Sequence, residues 1–201
     1  MSSRDWHELY RQGDTPWEEG KPWAPLVPLV RDLLPEGGRV LDVGCGVGTQ
    51  ALYLAEAGFR VRGTDIVETA IETARAEAAR RGLDAEFSVG DFLRDDPGRP
   101  YDLVLDRSVL ANAKDESERS KFAERVASSL SPRGWWLDIT ASADNRGPDG
   151  GPDPRGYPRL TFAELVGACE PHFEVHSVSR TRFGETDKTD FIAWVLVLRL
   201  R

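Results

Sequence analysis

The chain has 201 residues, with 26 Lys and Arg against 34 Asp and Glu and a formal net charge of −8. At about 100–200 residues per domain, that length predicts one domain spanning residues 1–201, and 40% hydrophobic with 30% charged residues excludes a fibrous or disordered chain. Basic residues are scattered rather than massed, which speaks against a nucleic-acid partner and for a small molecule. The longest apolar run, Phe191 to Leu198, falls far short of the ~20 residues a bilayer span needs. With Arg4, Asp5 and His7 where a secretory signal would be apolar, a cytoplasmic protein is expected. Cys45 and Cys169 have neither a CxxC partner nor metal-ligand spacing, so no metal is expected. No heptad seam marks an oligomer, and a monomer is the working expectation.

Residues 1–22 are rich in Trp, Tyr and charge but poor in periodic apolar positions, and read as a surface segment or lid. From Arg39 onward short apolar runs alternate with amphipathic ones, the pattern of βαβ units and a parallel sheet, hence an α/β fold. Arg39 to Asp42 is a strand, and Gln50 to Ala57 a helix stopped by Gly58. Phe59 to Asp65 is a second strand, with a helix from Val67 to Arg81 ended by Gly82. Strands follow at Ala85 to Val89 and Tyr101 to Leu105, then a helix from Ser117 to Leu130. The turn sequence Ser131-Pro-Arg-Gly134 leads into a strand at Trp135 to Thr140. Thr161-Phe-Ala-Glu164 is a capping box that opens another helix. Phe173 to Arg182 and Phe191 to Arg199 form a closing hairpin across the polar stretch from Gly184 to Thr189. The Gly/Pro-rich residues 141–158 leave the carboxyl edge of the sheet, where ligands bind in such folds, and are expected to overhang the site.

The chemistry concentrates at the strand ends. Asp42-Val-Gly44-Cys-Gly46-Val-Gly48 lies where the first strand turns into the first helix, so the backbone can approach a ligand while the helix N-terminus offers free N–H groups. Asp42 either caps this turn or meets the ligand. A dinucleotide fingerprint started at Gly44 needs glycine at position 49, which is Thr49, and that weakens a nicotinamide reading. Asp65 ends the second strand, where a carboxylate can accept from ribose hydroxyls. After the third strand, Asp91 and Phe92 offer a carboxylate and an aromatic face to an adenine.

On these motifs the sequence resembles the class I S-adenosylmethionine-dependent methyltransferases. The resemblance implies a Rossmann-like, seven-stranded, mostly parallel sheet with an antiparallel last strand and helices on both faces. It also implies S-adenosylmethionine as cofactor, with its methionine end at Gly44 and Gly46, ribose at Asp65 and Ile66, and adenine at Asp91 and Phe92. The opening Trp6-His-Glu-Leu-Tyr10-Arg-Gln-Gly13-Asp-Thr-Pro-Trp17-Glu-Glu-Gly20-Lys-Pro22 and the strand-end pair Asp106-Arg107 resemble the thiopurine S-methyltransferase, tellurite-resistance and thiol or halide methyltransferase subgroup. Trp6 and Tyr10, four apart, share a helix face and with Trp17 would cover the cofactor. Aromatic faces attract a sulfonium by about 0.5–2 kcal/mol each. The resemblance turns Arg107 toward a thiol-like or anionic acceptor and leaves Asp106 as a weak base candidate or the residue that orients Arg107. After that pair the chain reads Ser108-Val-Leu-Ala-Asn112 where many relatives have Gly-Cys-Phe-His-His, so O- or N-methylation and cofactor binding without turnover stay open. His7 belongs to the lid surface, His172 and His176 to the far edge, Trp135, Trp136 and Trp194 to the core, and Cys45 has no chemical role.

Overall fold

A computed structural model of the chain describes residues 5–98, 100–145, 158–183 and 191–201. Seven strands form one sheet: β1 (Arg39–Val43), β2 (Arg60–Asp65), β3 (Ala85–Val89), β4 (Tyr101–Arg107), β5 (Leu130–Ala141), β6 (Phe173–Phe183) and β7 (Phe191–Leu200). Their order is β3-β2-β1-β4-β5-β7-β6; β1 to β5 run parallel and β7 runs antiparallel between β5 and β6. The chain reverses its direction of travel across the sheet between β1 and β4, and the crevice outside their carboxyl ends is where open α/β sheets bind ligands.

Helices α1 (Trp6–Gln12), α2 (Leu26–Leu33), α3 (Thr49–Glu56), α4 (Glu68–Arg81), α5 (Glu116–Ser129) and α6 (Phe162–Cys169) complete the architecture. Side-chain alternation sends Leu103 and Leu105 of β4 into one core layer with Leu26, Val30 and Leu52, and Val104 into the other with Phe122 and Leu165. Burying each such side chain is worth about 1.5–3 kcal/mol. Cap residues set the helix ends as the sequence implies: Gly82 closes α4 in the left-handed conformation, and Thr161 with Glu164 forms both bonds of the capping box on α6.

Two elements differ from the sequence reading. Helix α2 lies in residues 23–38, to which the sequence reading assigned no element; Pro25 precedes the helix and Pro28 sits in its first turn, where no intrahelical N–H is lost. Its Leu26, Val27 and Val30 are buried. The Ser131 to Gly134 turn is a bulge within β5: Tyr101 pairs with Leu130 and Leu103 with Trp135, so the intervening residues loop out, Arg133 at φ 60°. The polar Gly184 to Thr189 stretch and most of the Gly/Pro-rich 141–158 segment lie outside the described residues. Trp136 is fully buried, whereas Trp135 is partly buried with Arg199 over its ring and His176 against its edge. No helix among the described residues is long and apolar enough to cross a membrane.

Candidate functional site

One cavity opens at the carboxyl edge of the sheet, and the ends of β1, β2, β3 and β4 converge on it. Its floor is the glycine loop, where Gly44, Gly46 and Gly48 have φ of 64°, 55° and 82°. These glycines admit protein as well as ligand. A Cβ on Gly44 would lie 2.3 Å from Val109 Cγ2, and one on Gly46 would lie 2.1 Å from Glu18 Oε1 and 2.6 Å from the Tyr10 hydroxyl. The turn after β4 and the N-terminal segment therefore both press onto the loop. Asp65, at the end of β2, accepts from Gly46 N at 2.9 Å and Val67 N at 3.0 Å. Each of its oxygens retains a lone pair for a further donor, and burial raises its pKa against the pull of those N–H groups. Asp91 accepts from Leu93 N at 3.0 Å, which orients it beside Phe92, and Phe92 itself packs on Phe122 at 5.2 Å between centroids. Ile66, Asp91 and Phe92 all border the cavity.

Asp42 is nearly fully buried in the cavity wall, and its Oδ2 has no hydrogen-bond partner. Desolvation by burial pushes it up to about 8 against the opposing pull of Arg107. An unpaired buried carboxyl oxygen costs free energy unless a donor meets it, so the cavity is built to receive one. A hydroxyl or ammonium of a bound cofactor fits that requirement, and strand-end acids beside a glycine loop fit an adenosine carrying a methionine tail.

The opposite wall is a strap from Asp5 to Lys21. Asp5 caps α1 and Gly13 ends it. Trp6 and Tyr10 on one face of α1 both meet Trp17, at 5.4 Å and 6.1 Å between ring centroids. The Tyr10 hydroxyl donates to Glu18 Oε1 at 2.5 Å and accepts from Trp17 Nε1 at 3.2 Å, while Val47 N of the glycine loop donates to the same Glu18 oxygen at 3.1 Å. Burial and the Glu18 charge push the Tyr10 phenol far up, so it stays neutral. Glu18 and Glu19, which the sequence reading quoted only as part of the opening motif, both border the cavity. The signal was their place next to Trp17.

Arg107 reaches the cavity from the end of β4, and its Nη2 donates to Trp17 O at 2.7 Å, joining the strap to the sheet. Burial lowers its pKa, while Glu18, Asp42 and Glu19 favour its charged form. Ser108, Val109 and Asn112 continue this side, with Ala141 and Pro158 beyond them. Asp106 is a correction to the sequence reading: it is not among the cavity-lining residues, faces the core, and accepts from Val109 N at 2.8 Å and Leu110 N at 3.2 Å. Side-chain alternation along β4 turns it away from the site that Arg107 enters. Cys45 Sγ sits close to Gly63, and burial raises its thiol well above the range in which it ionises, in keeping with a loop residue. His7 is not among the lining residues.

A family model described as a methyltransferase domain matches residues 40–134, from β1 into β5. The chain is 31% identical over 153 residues to a probable thiol methyltransferase 2 of Arabidopsis thaliana, covering 75% of this chain and 66% of that protein. It is 32% identical over 149 residues to the 2-heptyl-1-hydroxyquinolin-4(1H)-one methyltransferase of Mycobacteroides abscessus, covering 72% and 64%. It thus spans about two thirds of the length of both relatives. The solved Burkholderia thailandensis 1,6-didemethyltoxoflavin-N1-methyltransferase, with S-adenosylhomocysteine bound, shares the fold at a TM-score of 0.78 and 22% identity over 98% of this chain and 85% of that one. Fold, strand-end acids and relatives agree, and the chain belongs to the S-adenosylmethionine-dependent methyltransferases.

Proposed function

We propose that the protein transfers the methyl group of S-adenosylmethionine to a small, thiol-like acceptor. The observation that carries this is the convergence of Asp42, Asp65 and Asp91, from the ends of three adjacent strands, on one cavity roofed by Trp6, Tyr10 and Trp17. In this reading Asp65 and Ile66 hold the ribose, Asp91 and Phe92 the adenine, and Gly44, Gly46 and Asp42 the methionine end. The bound cofactor supplies an electrophilic methyl group on a sulfonium, so the protein has to align the donor with its acceptor and exclude water. The aromatic strap does the excluding, and its ring faces favour a cation.

Arg107 stands at the acceptor side. Because Glu18 and Glu19 already offset its charge, its main task is orientation, through Trp17 O, rather than capture of a free anion. This supports the thiol-like half of the expectation over the anionic half. A thiol suits a site whose described lining holds neither His nor Lys to act as a base, since a thiol ionises far more readily than an alcohol. The thiol methyltransferase named above supports the same acceptor, and the hydroxyquinolinone methyltransferase favours a hydroxyl as the second reading. Transfer of a labelled methyl group to matched panels of small thiols, alcohols and amines tests both. Product on thiols is expected, and product on oxygen or nitrogen alone overturns the acceptor assignment.

A further inference from the structure

Behind the turn that carries Arg107 lies a pair of carboxyl groups that methyl transfer does not require. Asp106 of β4 and Asp138 of β5 are register partners on adjacent parallel strands, and both are fully buried. Val104 and Trp136, two residues before them on the same face, belong to the apolar layer with Phe122 and Leu165. Among the described residues neither carboxyl is in an ion pair. Asp106 spends both oxygens on the backbone of the following turn, at Val109 N and Leu110 N. Asp138 accepts from Thr140 Oγ1 at 2.8 Å with Oδ1, and its Oδ2 is buried without a partner.

Two ionised carboxylates cannot share so apolar a site. Oδ2 of Asp138 lacks a partner only while it is an acceptor, and a proton there makes it a donor. Asp106, stabilised as an anion by two N–H groups, is the acceptor within reach. We infer that Asp138 is a neutral carboxylic acid donating to ionised Asp106, and that the pair is a positioning device for the acceptor-side turn. Burial, and after it the neighbouring Asp106 charge, pushes Asp138 well above the usual carboxylate range, while burial raises Asp106 to about 6 against its N–H partners.

The turn needs such support. Ser108 has φ 65°, a strained conformation for a non-glycine residue. It is held by its own N–H to Ile139 O at 2.9 Å, by Asn112 Nδ2 to Ser108 O at 2.8 Å, and by the two bonds to Asp106. That conformation aims Arg107, Ser108, Val109 and Asn112 at the cavity and sets Val109 against Gly44. The proton keeps Asp106 pinned between the strand behind it and the turn ahead of it.

The positioning role rests on the acceptor-side reading of Arg107, whereas the shared proton does not, so two measurements separate them. Difference infrared spectra of the ligand-free, aspartate-13C-labelled Asp42→Asn protein at pH 7, from which the Asp42 proton is absent, are expected to show a protonated-carboxyl band that the additional substitution Asp138→Asn removes. Absence of that band, or its survival in the double variant, overturns the proton assignment whatever the enzyme methylates. On the best acceptor from the panel, Asp138→Asn, which keeps a donor, is expected to stay within about twofold of the parent in kcat/KM. Asp138→Leu is expected to keep the melting temperature and cofactor affinity, because buried carboxyls tolerate apolar replacement, yet lose about tenfold or more in acceptor kcat/KM through a misplaced turn. Equal kcat/KM in the Leu variant, or a fall that tracks its melting temperature and is not rescued by Asn, overturns the positioning role.

Discussion

The two walls of the cavity are built on different physical terms. The sheet wall ends strands whose neighbours Leu41, Val43, Leu103, Val104 and Leu105 are almost wholly buried, so Asp42, Asp65 and the glycine loop are held by the hydrophobic core itself. The strap wall contains a helix with no buried residue, fastened by the Tyr10, Glu18 and Val47 bonds, the Arg107 to Trp17 bond and two aromatic contacts. Ordering a residue costs about 1–2 kcal/mol of backbone entropy, and a typical hydrogen bond returns a net of about 0.5–1.5 kcal/mol. The sheet wall is therefore present whenever the protein is folded, while the strap gains most from anything that binds between the walls. In the proposed function, exclusion of water and recognition of the cofactor are divided along the same line.

Removing residues 1–21 is the most drastic way to separate the walls. The core that starts with Leu26, Val27 and Val30 stays intact, so the melting temperature is expected to move by only a few degrees. Methyl transfer is expected to fall by about 100-fold or more, the scale of a lost enclosing and aligning element. Thermal denaturation beside the methyl-transfer assay checks both halves. A collapse of folding would show that the strap is part of the core and erase the contrast.

Asp65→Ala tests the sheet wall with a smaller effect. Its carboxylate holds Gly46 N and Val67 N and, in the proposed function, the ribose as well. Loss of a hydrogen bond to a charged group costs about 1.5–3 kcal/mol, so cofactor affinity measured by calorimetry is expected to weaken by about 10-fold to 150-fold. Glu18→Gln, which keeps an acceptor oxygen for Tyr10 and Val47, is expected to weaken it less. If the order of the two variants were reversed, the strap rather than the strand ends would dominate recognition.

The division also explains what could be read from the sequence. Strand β3 was legible at both ends and α4 at its Gly82 cap, because periodicity and cap residues act locally. Asp42, Asp65 and Asp91 were legible because a strand end dictates where its side chain emerges. Glu18 and Glu19 were not, since their approach to the glycine loop depends on how the strap folds back across some 30 residues of chain to meet Val47. Asp106 stood at the right strand end but on the face that alternation turns inward, and its bonds to the N–H groups three and four residues ahead are a turn-capping pattern. Helix α2, with Pro25 before it and Pro28 in its first turn, precedes Arg39, where the alternating pattern begins.

The smallest effect separates the walls by proton binding. Asp42, in the sheet wall, is pushed by burial from the usual carboxylate range up to about 8. Between about pH 4 and pH 8 the folded protein therefore keeps a proton on Asp42 that the unfolded chain has released. More protons bound in the folded state mean that stability falls as pH rises through this window and levels off above it. Asp138, raised for the same reason, adds a slope of the same sign. In the ligand-free protein, Asp42→Asn is expected to flatten part of the decline in denaturant midpoint between pH 5 and pH 8, and removing the strap is expected to change that slope less, because Asp42 lies in β1, flanked by β2 and β4. A slope that disappears with the strap but survives Asp42→Asn would transfer the buried charge from the sheet wall to the strap.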